Sequence, residues 1–65
     1  MQITMKQARV GANLTQADVA AKMGVHTQTY MRLEKHSGDM KIKQAKKFAE
    51  IVGLNFDDIF FGNEV

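Results

Sequence analysis

Thr27, Gln28, Met31 and Arg32 carry a hydroxyl, an amide, a thioether and a guanidinium at a spacing that one helix edge would gather. Those groups suit the edges of nucleic-acid bases. Gln28 can bond adenine through two parallel hydrogen bonds, and Arg32 can do the same to guanine. Met31 and the methyl of Thr27 can touch thymine methyl groups. Each also has a plainer explanation as ordinary solvated helix surface, since single exposed apolar residues are common. Which of Gln28 and Arg32 would meet a base and which a phosphate stays open.

No other set of residues suggests chemistry of comparable weight. His26 and His36 stand ten apart, with no cysteine in the chain and no suitably spaced carboxylate, so a metal site is not expected. Adjacent Asp57 and Asp58 would point in different directions on a helix and read as complements to its dipole, not as an acid/base pair. No nucleophile and base are placed for catalysis, and there is no phosphate-binding glycine loop. The chain is expected to be neither an enzyme nor a cofactor carrier.

The elements that would hold the reading edge are all helical. A first helix takes Met5, Ala8 and Val10 or Ala12 inward and ends near Asn13, which tolerates a left-handed backbone. A second begins at Thr15, with Asp18 three residues on as a short version of the capping box. It buries Val19, Ala20 and Met23 and stops at Gly24. A third runs from about Thr27 to Lys35, with Val25, Tyr30 and Leu33 turned inward and a poor capping residue, His26, at its start. The Tyr30 hydroxyl is expected to reach water or a backbone group at the rim of the core. After the loop Lys35 to Asp39, a fourth helix presents Ile42, Ala45, Phe48, Ala49 and Val52 as its apolar stripe and ends at Gly53. A last short helix capped by Asn55 would return Ile59 and Phe60 to the core. Five helices and no strand are expected.

Sixty-five residues make a single domain, 1–65, near the lower size limit for a hydrophobic core. No apolar run approaches a membrane span and the start lacks a signal-peptide core, so a soluble cytoplasmic chain without membrane contact is expected. Residues 1–52 hold all nine Lys and Arg against four acids, a balance of +5, whereas residues 53–65 hold three acids and no base. A basic body suits a polyanion partner, although a solvated surface would show the same balance. Phe61 and Val65 continue the apolar surface at the acidic end and are candidates for contact between two copies.

Two helices joined through a short glycine turn form a helix-turn-helix, the second helix entering a major groove N-terminus first. The chain resembles the phage repressor/Cro type of helix-turn-helix domain, the XRE family, from about Met5 to Phe60. Leu14-Thr15-Gln16, Ala20, Gly24-Val25, Leu33-Glu34, Phe48-Ala49, Gly53 and Asp57 to Phe60 carry the resemblance. It implies an all-α, compact five-helix, lambda-repressor-like domain with the helix-turn-helix at helices 2 and 3. It also implies a homodimer, at least on DNA, bound to a near-palindromic double-stranded operator. Gln16 would meet a phosphate at the start of the second helix, Lys35 and the following loop would meet the backbone, and Arg9 and Glu34 would form a partly buried ion pair. Lys41 and Lys43, nearest the loop, are further phosphate candidates against a solvated-face alternative. The family's cap at the third helix is replaced by His26, its Asn-Gly turn by Lys35-His36, and its Pro-Ser start of the fourth helix by Met40-Lys41.

A sequence-specific transcriptional repressor is therefore the leading expectation. The alternative is an antitoxin-like module that regulates its own operon and binds a partner protein. A second, toxin-binding element would distinguish it, and few residues lie outside the five expected helices.

Overall fold

The computed structural model describes residues 2–62. Its elements are α1 (Met5–Gly11), α2 (Gln16–Met23), α3 (Thr27–Lys35) and α4 (Ile42–Val52), with single 3-10 turns at Ser37–Asp39 and Phe56–Asp58. Among the described residues the fold is all-helical with four α-helices, not five.

Local chemistry explains the helix starts and stops. Thr4 accepts from the Gln7 backbone N–H at 3.1 Å, and the Gln7 side chain accepts from the Thr4 N–H at 2.9 Å. Thr15 and Asp18 make the same reciprocal pair at 3.0 and 2.9 Å. Each pair satisfies donors that a helix N-terminus otherwise leaves orphaned. At the other end of α2, Gly24 takes φ 74° and the Val25 N–H bonds the Ala20 carbonyl at 3.0 Å, which closes the helix and redirects the chain into α3. Asn13 supplies the left-handed residue after α1, at φ 61°.

Met5, Ala8, Val19, Ala20, Tyr30, Phe48, Ala49 and Ile59 make the buried core, with Leu33 and Ala45 also buried. The Phe48 ring lies 6.3 Å from Tyr30 and 6.4 Å, edge-on, from Phe61. Of the two alternatives on α1, Ala12 is the half-buried one and Val10 is exposed.

The C-terminal part departs from expectation. Asn55 makes no side-chain cap, and only one 3-10 turn forms before the chain extends. Ile59 then pairs in parallel with Ile3: the Ile3 N–H donates to Asp58 O at 3.0 Å and the Phe60 N–H to Ile3 O at 2.8 Å. Neighbouring side chains on an extended backbone point to opposite sides. Ile59 is therefore buried while Phe60, expected in the core, is 44% exposed. Ile42 is also corrected: it opens the first turn of α4 at 65% exposed, and Met40 just before it packs on the core instead. In the loop after α3, buried Ser37 accepts from the Gly62 N–H at 2.8 Å and donates to its carbonyl at 2.9 Å, which ties the loop to the C-terminal segment.

Candidate nucleic-acid interface

Tyr30 and Leu33 anchor α3 from one side, and this anchoring decides what the other side presents. Thr27, Gln28, Met31, Arg32 and Lys35 are all exposed along one edge, as the helical period requires when Tyr30 and Leu33 are buried. The side chain of His26 makes no capping bond, so the first N–H groups of α3 stay uncapped.

Behind that edge lies a polar cluster. Arg9 of α1 donates through Nε to Glu34 Oε2 at 2.9 Å and through Nη2 to Oε1 at 3.4 Å, and its Nη1 bonds the Leu14 carbonyl at 2.9 Å. The two side chains are 12% and 8% exposed. Gln16 Nε2, at the first residue of α2, donates to the same Glu34 Oε1 at 3.4 Å. Three helices thus meet at one carboxylate. Burial alone would raise the Glu34 carboxyl, but the bond from Arg9, helped by Gln16 and the nearby Tyr30 hydroxyl, holds it below its ordinary value. The bond to Glu34 raises the Arg9 guanidinium against the opposing effect of burial. The Tyr30 hydroxyl, expected at the wet rim, is instead fully buried beside this pair, with no partner within hydrogen-bond range among the described residues. Burial first, and then the Glu34 charge, push its phenol far up, so it stays protonated.

Gln16, Met31 and Lys35 line one groove together with Thr4, Lys6 and Glu34. Thr27, Gln28 and Arg32 continue the exposed edge of α3. Lys41 is exposed at the start of α4, where the Gln44 side chain accepts from its backbone N–H at 3.1 Å. Lys43 lines a different groove, with Met23, Lys46, Lys47 and Glu50. Phe61 is half-buried, its ring stacked 5.2 Å from Phe56. Val65 lies outside the described residues. Among the described residues no cluster of three or more His, Cys, Asp or Glu could hold a metal, and no helix is long and apolar enough to cross a membrane.

Sequence reasoning singled out neither Thr4 nor Lys6 among the groove residues, and Lys6 is the charged one. The Thr4–Gln7 capping box, legible as T-x-x-Q, would have placed it in the first turn of α1. Nothing local to Ser37 announced its bond to Gly62, which spans 25 positions.

A family model described as helix-turn-helix matches residues 5–59. An uncharacterised HTH-type transcriptional regulator from Methanocaldococcus jannaschii is 42% identical over 60 residues, which cover 92% of this chain and 91% of the relative. Another, from Archaeoglobus fulgidus, is 33% identical over 64 residues, covering 98% of this chain and 90% of the relative. No solved structure matches.

Proposed function

This chain belongs to the helix-turn-helix family, and on that premise we propose that it is a sequence-specific regulator of transcription, a repressor that binds double-stranded DNA. It binds a near-palindromic operator as a homodimer, with α3 in the major groove. The observation that carries this reading is the division of α3. Buried Tyr30 and Leu33 fix the helix to the body, and Thr27, Gln28, Met31 and Arg32 stand free on the opposite edge. An edge held rigidly and chemically matched to base edges is what direct readout requires. Gln16, Lys35, Lys41 and Lys43 hold the duplex backbone, and the regulator names of the two archaeal relatives agree with a DNA partner. The two copies meet through the C-terminal apolar surface at Phe61 and exposed Phe60; Val65, the other residue expected in this contact, lies outside the described residues. Selection of bound sequences from a random duplex pool tests the reading. A two-fold symmetric consensus is expected; recovery of unenriched sequence would overturn it.

A further inference from the structure

The groove beside the reading edge has a composition of its own. Thr4 and Lys6 enter it from α1, Gln16 from the start of α2, and Met31, Glu34 and Lys35 from α3. Two exposed lysines from different helices therefore share one concavity. The acid among its lining residues, Glu34, is already paired with Arg9 at 2.9 Å, which leaves the groove a net cationic surface. Glu34 also engages the Gln16 amide nitrogen at 3.4 Å. A side-chain amide carries two N–H donors. One is thus directed to the carboxylate, and the second is left for an acceptor within the groove.

We propose that this groove seats one phosphate of the duplex backbone, held between the ammonium groups of Lys6 and Lys35 and against the Gln16 amide. The proposal rests on the DNA-binding reading above and adds Lys6 as a binding residue. A phosphodiester offers one negative charge and two free acceptor oxygens, which two flanking cations and a neutral donor match. The seat lies next to Met31, so occupying it sets how far α3 enters the groove of the DNA. It carries no sequence information itself, as phosphate contacts position and base contacts specify. Lys22 is an instructive comparison: it lies near the far end of α2, in another groove with Lys47, Glu50 and Ile51.

Salt titration of binding separates a seat from general charge. Wild type, Lys6→Gln and Lys22→Gln are compared on the selected operator and on an unrelated duplex. Each neutralised phosphate contributes about 0.9 to the slope of log affinity against log salt. Lys6→Gln should lower the slope by about one unit per bound protomer, about two for the dimer, on both duplexes and leave the preference between them intact. Its deficit relative to wild type should shrink about threefold per protomer, about tenfold for the dimer, between roughly 50 and 200 mM salt. Lys22→Gln should keep the wild-type slope. An unchanged slope in Lys6→Gln, or an equal fall in Lys22→Gln, overturns the seat while leaving the regulator reading standing. A wild-type chain that binds no duplex at all overturns both.

Discussion

Arg9 and Glu34 join the first helix to the last turn of the third, with little exposure on either side chain. Removing one partner strands the other charge, which costs more than the pair contributes. Arg9→Met should destabilise by about 2–3 kcal/mol, somewhat below the range for a fully buried pair. Arg9→Met with Glu34→Leu should recover part of that loss in denaturant melts; simple addition of the two single effects would show that no coupling exists. The pair also sets a pH dependence. The carboxyl of Glu34 is held below its ordinary 4.5 in the folded chain, so the unfolded chain takes up the proton first as pH falls. Its stabilisation is complete above 4.5 and drains away as pH drops through the depressed folded value. Denaturation midpoints followed from neutral to acid pH should fall more steeply for wild type than for Glu34→Gln. On the outer edge of α3, Gln28→Ala or Arg32→Ala should cost about 1–3 kcal/mol on the operator and little on random DNA. Lys35→Ala should weaken all sequences alike and lower the salt slope by about one unit per bound protomer. Neutral Gln16→Ala should weaken all sequences without that change in slope. If Gln28→Ala and Arg32→Ala both bind every duplex as wild type does, this edge does not read DNA.

The junction between α2 and α3 depends on a backbone conformation more than on a contact. Gly24 sits at φ 74°, and a Cβ built there would meet no atom within 4 Å. Space is therefore free, and the cost of a side chain lies in the left-handed backbone itself, about 1–2 kcal/mol. Gly24→Ala should lower stability by about that amount and reduce DNA affinity only through the unfolded fraction. A loss of affinity at saturating stability would mean that the angle between the two helices had changed. Asn13 meets the same left-handed requirement after α1 with a polar side chain. The 3-10 turn at Phe56–Asp58 shows the limit of local signals. Acids and a capping residue type are present, yet three residues form too short a stretch to propagate a helix against the competing pairing with Ile3.

At the scale of the whole molecule, one exposed apolar patch among the described residues lies at the C-terminal side. Phe60 and Ile42 are exposed on the rim of one groove, whose lining includes half-buried Phe61 and Phe56. Phe61→Ser would disturb the stacking on Phe56 and the contact with Phe48 as well as any contact between copies. Phe60→Ser is the cleaner test, because Phe60 keeps its backbone N–H bond and its ring, which lies over Gly62, is 44% exposed and takes no part in the aromatic stacking. It should leave the melting temperature near wild type while weakening self-association in sedimentation and cooperativity on the operator. Unchanged cooperativity would place the contact between copies elsewhere.

The sequence by itself determined the first four helices, the turn between α2 and α3 and the exposed edge of α3, because each follows from short-range physics. Thr15, Asp18 and Gly24 act within a few bonds of their own backbone, and the alternation of Tyr30 and Leu33 with Gln28, Met31 and Arg32 is a property of one helix. Composition likewise limited the chemistry, since a chain without cysteine offers no thiolate nucleophile or metal ligand. Only the tertiary structure decided the rest. Whether Ile59 and Phe60 lay on a helix or an extended segment depended on Ile3, more than fifty residues away, and that choice sent Phe60 outward. Residue spacing did not reveal that Lys6 shares a groove with Lys35, or that one Glu34 oxygen serves both Arg9 and Gln16. Those arrangements arise where three separately formed helices pack, and contacts across such a packing leave no period in the chain.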